Sequence, residues 1–518
     1  MGAKGQRMIN LLKTAYLICA MLLGLYAASQ LILILLYLRY RRQLAPLPAV
    51  DELPAVVVQL PLYNEPYVVR RLLAAAVALD YPRDRLTIQV LDDSNDETPE
   101  IIAREMQRLC QTGVNIQHIR RKIRVGYKAG ALAYGLDECT AEFLAVFDAD
   151  FVPPPDFLLR TIPYFLTNPR LGIVQTRWGH LNASANWLTQ AQSLAIDAHF
   201  MIEQPARNRS NLLLTFNGTG GVWRRECIED AGGWSAETLT EDLDLSYRAQ
   251  IKGWQYQYLP DIVVPGEIPP VMSAYKQQQA RWAQGTNQAL CKLFFPVWRS
   301  DLRLAAKVMA THHLVQYLPH TIMLLMFFLS PLLILSGVMD DISLTWLGVL
   351  GFIPPMMHIM AQYEMGSNLP RRLMYFPILM VIGTGLMLNN AVAAFKAFYG
   401  RLTYRSGEFV RTPKFGNRKT KTYTMPRGWL FYVELACALY AIFGCIVALQ
   451  ILPGMVFYML LYAVAFSAMV GWNFYDQWQL NRLPLMPEVE ADAEEALVAN
   501  EEVDPEAVTD ARYERVYS

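Results

Sequence analysis

An uninterrupted run of uncharged, mostly apolar residues extends from Thr14 to Leu38. About 20 such residues are enough for a helix to cross the hydrocarbon core of a bilayer. A cleaved signal peptide would have a shorter apolar core of about 7–15 residues. A retained transmembrane anchor is therefore favoured, within residues 1–43. Arginines that follow the run directly predict that the next segment is cytosolic, although basic residues before the run nearly balance this signal.

A second apolar region occupies residues 301–480. Its candidate spans are residues 313–337, 344–363, 429–451 and 454–475. A fifth apolar stretch, 373–399, has basic residues at both ends, which predicts that both ends lie on the cytosolic side. Because 27 residues cannot cross a bilayer twice, we expect an interfacial or re-entrant element there. A basic loop, 401–427, follows it.

Between these membrane regions, residues 50–300 have the mixed composition of an aqueous domain. Short runs of β-branched and aromatic residues at 55–60, 86–91 and 143–147 each end in a polar turn. Helical stretches separate the runs, and this alternation predicts an α/β fold with a mixed, mostly parallel sheet flanked by helices. Ligands of such sheets bind beyond the carboxyl ends of the strands.

The formal net charge of zero conceals a segregation of charge along the chain. Residues 484–518 carry eleven acidic residues against two arginines, so the rest of the chain is basic to the same extent. A basic remainder suits lipid headgroups and phosphorylated substrates. The acidic tail has no apolar periodicity and is predicted to be disordered, with or without a partner. The seven cysteines form no Cys-x-x-Cys pair, which predicts neither a zinc site nor a disulfide framework and fits a reducing compartment.

Three acidic clusters lie where predicted strands or turns end. They are Asp92 with Asp93, Asp148 with Asp150, and Glu241 with Asp242. Each pair alone is more typical of a turn or a helix cap. Three such pairs converging on one sheet edge would repel each other, and a divalent cation such as Mg²⁺ or Mn²⁺ would relieve that repulsion.

The spacing within these clusters indicates their chemistry. Asp148 and Asp150 are two residues apart, so both side chains lie on one face of an extended segment and can share one metal ion. That ion would bridge a diphosphate and stabilise the charge that develops on the leaving group. Asp242 would then act as the general base that deprotonates an acceptor hydroxyl.

Other residues have both a functional and a structural interpretation. Lys128 between glycines suits a phosphate-bearing donor, but it is equally typical of a surface. Asn217 lies in a glycine-rich turn that either approaches a sugar or is simply tight. Gln278, Arg281 and Trp282 lie on adjoining helical positions, where arginine can bind diphosphate and indole can stack on a pyranose. A tryptophan at a membrane interface needs no such role.

Taken together and in order, these motifs resemble a known family. They are LPLYNEP, LDDSND, GYKAGAL, FDADF, FNGTGG, TED and Gln278-x-x-Arg281-Trp282. The series resembles the family 2 inverting glycosyltransferases of the cellulose synthase superfamily over residues 50–300. The likeness is greatest to the cellulose-synthase-like A and C proteins (mannan and xyloglucan-backbone synthases) and their bacterial relatives. EFVRTPK in the basic loop is similar to the gating loop of these synthases.

The resemblance implies a cytosolic GT-A domain between transmembrane helices. It also implies an inverting transfer from UDP-glucose or GDP-mannose to a growing β-glycan, processive and with secretion through the protein's own spans. The implied roles are donor binding by Asp92, Asp93, Lys128, Asp148, Gln278 and Arg281, metal binding by Asp148 and Asp150, catalysis by Asp242 with Glu241, and acceptor binding by Asn217 and Trp282. The DDSND and FNGT motifs depart from the DDG and FCGS of bacterial cellulose synthase, which makes cellulose synthase itself a poorer match.

Two other functions fit parts of the sequence. A glycosyltransferase that adds one or a few sugars to a lipid acceptor could use the same site. A transporter with a regulatory nucleotide-binding domain is disfavoured, because its predicted spans contain few of the ionisable groups that mark transport pathways. We expect an integral protein of an inner membrane, or of the Golgi in a eukaryote. Its expected partners are a nucleotide-sugar, a glycan or lipid acceptor and the bilayer, without nucleic acid.

Overall fold

The computed structural model describes residues 3–43, 46–50, 52–341, 345–403 and 428–482. Up to Asp476 the described residues belong to one compact unit, and those beyond it are the last turns of the final helix. Most of the predicted gating-like loop 401–427 and the whole acidic tail 484–518 lie outside the described residues.

One seven-stranded sheet forms the centre of the aqueous domain. Its strands are β1 (Val56–Leu62), β2 (Leu86–Asp92), β3 (Asn115–Arg120), β4 (Phe143–Val146), β5 (Leu171–His180), β6 (Gly221–Arg224) and β7 (Gln255–Gly266). They lie in the order β3-β2-β1-β4-β6-β5-β7. The strand β6 is antiparallel to its neighbours β4 and β5, and the other pairs are parallel. This arrangement confirms the predicted mixed, mostly parallel sheet of a GT-A-like fold.

Helices cover both faces of this sheet, which explains why the central strands are apolar throughout. The helices of the domain are α2 (Val69–Val77), α3 (Thr98–Leu109), α4 (Tyr127–Asp137), α5 (Phe157–Thr167), α6 (Trp187–Ala198), α7 (Gln204–Arg209), α8 (Arg225–Asp230), α9 (Glu241–Ile251) and α10 (Met272–Arg299). The few polar side chains inside the sheet are paired, as Gln59 and Gln89 are at 3.1 Å. Burial of the strands on both faces fixes the register, and with it the edge at which each strand ends.

The strands β1, β2, β4, β5 and β7 run in one direction, so their carboxyl ends share one edge of the sheet. The turn that precedes the reversed strand β6 lies at this same edge. Residues far apart in sequence, from the end of β2 at Asp92 to the end of β7 at Gly266, are therefore brought to one side of the domain. This edge positions the candidate site.

The remaining helices lie before and after the domain. They are α1 (Ala3–Tyr40), α11 (Leu304–Leu314), α12 (Leu318–Leu335), α13 (Thr345–Leu350), α14 (Ile353–Glu364), α15 (Leu369–Leu373), α16 (Phe376–Gly385), α17 (Met387–Thr403), α18 (Trp429–Ile451) and α19 (Val456–Arg482). Within the described residues, four helices are long and apolar enough to cross a membrane, namely α1, α12, α18 and the part of α19 before Asp476.

Two predicted membrane segments differ from this set. The expected span 344–363 is wrong as a single helix, because α13 and α14 are separate and short. Pro354 and Pro355 stand in the first turn of α14, and proline cannot donate the amide hydrogen bond that would continue α13. The stretch 373–399 lies in a helix pair bent by 40° between Gly385 and Met387. A broken span and a re-entrant element share this shape, so the predicted re-entrant element stays a prediction.

The long helix α10 is bound to two of the candidate spans. The Lys276 ammonium lies 2.6 and 2.7 Å from the two carboxylate oxygens of Glu434 in α18, and this glutamate is 1% exposed. The backbone amide of Ser273 donates to Asp476 in α19 at 3.0 Å, which satisfies one of the free amides at the start of α10. The candidate spans α18 and α19 therefore hold the helix that carries the predicted Gln278, Arg281 and Trp282.

Candidate active site

A lysine and an aspartate form the centre of the site. Lys128 lies in the first turn of α4, and its ammonium donates to Asp148 at 2.5 Å and to the carbonyl of Gly218 at 2.7 Å. It also lies 3.8 Å from the Glu241 carboxylate. Burial disfavours the ammonium form, but the neighbouring carboxylates of Asp148 and Glu241 outweigh this effect and raise the pKa of Lys128. A permanent cation thus lies among the predicted acids.

The Thr-Glu-Asp motif begins α9 at the same place. Anions at a helix N-terminus are stabilised by the free backbone amides and the helix dipole, and the Asp242 carboxylate accepts a hydrogen bond from the Leu243 amide at 2.8 Å. Burial, followed by the adjacent Glu241 charge, nevertheless raises the pKa of Asp242 from 3.8 to about 7. Such a carboxylate takes up a proton near neutral pH, as a general base must.

Asp148 and Asp150 follow β4 and differ in exposure. The side chain of Asp148 is 35% exposed, whereas Asp150 is 1% exposed and accepts a hydrogen bond from the Glu267 amide at 3.1 Å. Among the described residues, no group of three or more metal-binding side chains occurs. Two carboxylates nevertheless fit a Mg²⁺-type site, because such ions are commonly held by one or two carboxylates together with substrate phosphates and water.

The two acids after β2 face different surroundings. Asp93 accepts from the guanidinium of Arg121 at both carboxylate oxygens, one of them at 2.9 Å. Asp92 is 1% exposed, accepts from the Ser94 amide at 2.8 Å and lies 2.9 Å from His118. Burial opposes ionisation of Asp92, but the hydrogen bonds from His118 and Ser94 outweigh it and lower its pKa. Asp93 lines the cavity described below and Asp92 does not.

The glycine-rich turn before β6 closes the site from the opposite side. Gly218 has a φ of +79°, and a Cβ there would lie 3.0 Å from an oxygen of Asp242 and 3.3 Å from the Lys128 ammonium. Glycine is therefore required both by the left-handed backbone and by the space. The side-chain oxygen of the adjacent Asn217 lies 3.2 Å from Nε2 of His199, a residue that opens a π-helical turn, His199–Glu203.

One cavity at the carboxyl edge brings the predicted residues together. All of them except Asp92 line it, including Gln278, Arg281 and Trp282 from α10. Other lining residues were not predicted from the sequence, among them Tyr63, His180 and Glu267. Tyr63 lies under the Arg124 guanidinium, 3.4 Å from ring centroid to carbon. His180 and Glu267 stand at the ends of β5 and β7, so the strand-end argument used for the acids would have found them had it been applied to every polar residue.

The site can therefore hold an anionic diphosphate and accept a proton. Lys128 and Arg281 supply positive charge, two aspartates can hold a cation, and the Asp242 carboxylate can accept a proton near neutral pH. A model of glycosyltransferase-like family 2 matches residues 54–285. Over this segment the chain is similar to the family 2 glycosyltransferases. The match covers the whole sheet and all eleven predicted site residues.

The domain is similar to plant enzymes. It is 40% identical over 302 residues to glucomannan 4-β-mannosyltransferase 1 of Cyamopsis tetragonoloba, covering 55% of this chain and 57% of that protein. It is 42% identical over 251 residues to glucomannan 4-β-mannosyltransferase 2 of Arabidopsis thaliana, covering 48% and 47%. This chain thus spans about half the length of the plant relatives it matches.

A solved structure is also similar to this chain. It is the mannosyltransferase PcManGT of Pyrobaculum calidifontis in complex with GDP-Man and Mn²⁺. The sequence identity is 20% and the TM-score is 0.49, over 76% of this chain and 99% of that one.

Proposed function

We propose that this chain is a membrane-embedded, metal-dependent, inverting hexosyltransferase that transfers a sugar from a nucleotide-sugar to a growing β-glycan. The observation that carries the proposal is the convergence of Lys128, the Asp148 and Asp150 pair and the general base Asp242 in one cavity. A nucleotide-sugar supplies the diphosphate that the cations bind, and an acceptor hydroxyl supplies the proton that the base takes up.

The donor would lie along the strand ends from β2 to β4. Asp93 and Tyr63, which line the cavity, would lie nearest the nucleoside, and Lys128 and Arg281 would bind the diphosphate. Asp148 and Asp150 would hold Mg²⁺ or Mn²⁺, and that ion when bound would neutralise the diphosphate charge. Asp92 would act indirectly, because its hydrogen bond to the Ser94 amide shapes the turn that presents Asp93.

The acceptor would approach Asp242 from the side of the glycine-rich turn and α10. Its hydroxyl transfers a proton to the Asp242 carboxylate while its oxygen bonds to the anomeric carbon, and the bond from that carbon to the diphosphate oxygen breaks. Attack opposite the leaving diphosphate inverts the anomeric centre. A pKa of about 7 for Asp242 keeps a useful fraction ionised at neutral pH while leaving it basic enough to accept the proton.

The names of the plant relatives indicate which substrates to test first. They transfer mannose in β-1,4 linkage to glucomannan, so GDP-mannose with a β-1,4-mannan acceptor comes before UDP-glucose. Four helices are long and apolar enough to cross a membrane, which supports a location in a bilayer. The catalytic domain is proposed to face the cytosol, where nucleotide-sugars are available. Asn182, Asn208 and Asn217 lie in glycosylation sequons, and they should remain unmodified in a eukaryotic host if this orientation is right.

The test is a transfer assay with the purified full-length protein in lipid nanodiscs. GDP-[¹⁴C]mannose or UDP-[¹⁴C]glucose is incubated with β-1,4-mannotetraose and Mn²⁺ or Mg²⁺, and the products are sized and their linkage determined. The proposal expects elongated, β-linked products from the wild type and none from Asp242→Asn. If the labelled product is extracted only into organic solvent, the acceptor is a lipid and not a glycan. Absence of transfer from every donor, or full transfer by Asp242→Asn, would overturn the proposal.

A further inference from the structure

A histidine ends β5 at the edge of the sheet that carries the site. His180 lines the same cavity as Asp242, and its side chain is 9% exposed. The backbone around it is fixed, because the next residue, Leu181, donates its amide to the Gly266 carbonyl at 2.9 Å. Asn182 and Ile268 exchange two hydrogen bonds, at 2.8 and 2.9 Å. A rigid turn therefore holds this imidazole at the cavity wall.

A buried carboxylate fixes the orientation of the imidazole ring. Nε2 of His180 lies 2.9 Å from an oxygen of Asp197, whose other oxygen accepts from Gln362 at 2.8 Å and from Arg372 at 3.2 Å. Arg372 is itself held by Ser193 at 2.9 Å. Burial opposes ionisation of Asp197, but His180, Gln362 and Arg372 outweigh it and lower its pKa. An ionised Asp197 only accepts hydrogen bonds, so the ring carries its proton on Nε2.

The other ring nitrogen has no partner. Nδ1 of His180 is buried and makes no hydrogen bond with any residue that the structure describes. With the proton on Nε2, Nδ1 of the neutral ring is an acceptor. Leaving a buried acceptor unsatisfied is costly, and native proteins pair most such atoms with protein, ligand or water. The missing partner is a donor, and a sugar hydroxyl is a donor that this cavity is proposed to receive.

The strand order indicates which sugar that hydroxyl belongs to. Asp93 follows β2, Asp148 follows β4, and His180 is the last residue of β5, which lies two strands beyond β4 in the sheet. If the diphosphate lies over the β4 acids with the nucleoside towards β2, then the β5 end of the cavity lies beyond the transferred sugar. Ile196 and Ile268 line the cavity near His180 and bring no charge to it.

We propose that His180, oriented by Asp197, binds a hydroxyl of the acceptor sugar and is a specificity-determining residue for the acceptor. This inference rests on the proposed glycosyltransferase function and extends it to a residue outside the acidic motifs. The hydrogen bond runs from the acceptor hydroxyl to Nδ1, and no covalent chemistry takes place at His180. The opposing interpretation is that the His180–Asp197 pair only packs the wall of the cavity.

Two matched variants test the roles of the two ring nitrogens separately. His180→Gln places an amide near the position of Nε2, so it can still donate to Asp197 but has no acceptor at Nδ1. His180→Asn places its amide near Nδ1 but cannot reach Asp197. With GDP-mannose as donor and methyl β-1,4-mannobioside as acceptor, the measurements are the acceptor KM, the donor Kd and transfer to each monodeoxy derivative of the acceptor.

The expected result is an acceptor KM about three- to tenfold higher in His180→Gln, the cost of one neutral hydrogen bond. The donor Kd should stay within twofold of wild type. One monodeoxy acceptor should bind the wild type about three- to tenfold more weakly than the parent, whereas His180→Gln should bind both alike. A purely structural role would weaken all acceptors together and leave the deoxy penalty in place, which would overturn the inference.

Failure of the proposed function gives a different result. A wild type without transfer to any glycan overturns both proposals, whereas an active wild type with an unchanged acceptor KM in a folded His180→Gln overturns only the role of His180. If His180→Gln does not fold, His180→Asn provides the test with the same deoxy series. Its amide oxygen can still accept near the position of Nδ1, so the deoxy penalty should persist, and loss of the penalty in a folded His180→Asn would overturn the proposal.

Discussion

Replacing the proposed general base should make the protein inactive and more stable. Asp242→Asn keeps the size of the side chain and can still accept the hydrogen bond that the Leu243 amide gives to Asp242 at 2.8 Å. It removes a carboxylate whose pKa burial and the Glu241 charge raise to about 7. Ionising such a group in the folded protein costs free energy, because the same carboxylate ionises freely in the unfolded chain.

The sign and size of the effect follow from the two pKa values. The stability that protonated Asp242 provides is fully present below its unfolded pKa, about 3.9, and is lost as the pH rises to its folded pKa of about 7. Between pH 5 and 8 the ceiling on this loss is about 3 kcal/mol, at about 1.4 kcal/mol per pKa unit. Solvent screening at the partly exposed Asp242 reduces the expected loss to about 1–2 kcal/mol.

The assay is thermal unfolding of the apoprotein with a chelator, for wild type and Asp242→Asn at pH 5 and pH 8. The variant's advantage should grow by about 2–8 °C between the two pH values, at about 2–4 °C per kcal/mol for a domain of this size. The matched control is Asp230→Asn outside the cavity. Hydrogen bonds from Trp254 and Lys252 lower the pKa of Asp230, so this variant should lose stability at neutral pH and keep its transfer activity. An Asp242→Asn protein that is less stable at pH 8, or whose advantage does not change with pH, would refute this reasoning.

Three further results are expected. Gly218→Ala should lower kcat at least tenfold, because φ is +79° and the new Cβ lies 3.0 Å from the Asp242 carboxylate. The control Gly113→Ala, with φ of +74° and open space around the new Cβ, should lower only stability. Lys276→Met should lower the unfolding temperature, because an unpaired buried Glu434 costs about 3–5 kcal/mol of stability. The double variant Lys276→Met with Glu434→Leu should recover most of that loss, and failure to recover would show that the ion pair is not the cause. EDTA should abolish transfer and Mn²⁺ or Mg²⁺ should restore it; transfer that persists in EDTA would contradict the proposed metal site.

Local sequence patterns predicted most of the fold. Strand bounds such as 86–91 lie within one residue of β2 (Leu86–Asp92), because a strand buried on both faces is an apolar run with a clear end. The expected span 344–363 was wrong because hydropathy counts Pro354 and Pro355 as ordinary residues of a helix. Proline ends the preceding helix regardless of how apolar the segment is.

The site was predicted only where charge alone indicates function. Strand-end position and acidity identified Asp148 and Asp150, but they could not distinguish Asp93, which faces the cavity, from Asp92, which is turned to Ser94 and His118. Neighbouring residues on a strand point to opposite faces, and nothing local in Asp-Asp says which one faces the ligand. His180 was missed because its significance depends on Asp197, a contact that only the tertiary structure supplies.

The central claim is that one cavity binds a nucleotide-sugar through its diphosphate beside the proposed base. The most direct measurement is a cryo-electron microscopy structure of the full-length protein with GDP and Mn²⁺. We expect the ion between the diphosphate and the Asp148 and Asp150 carboxylates, with the Lys128 ammonium on a phosphate oxygen. Nucleotide bound elsewhere on the protein, or seated here with the diphosphate turned away from Lys128, would contradict it.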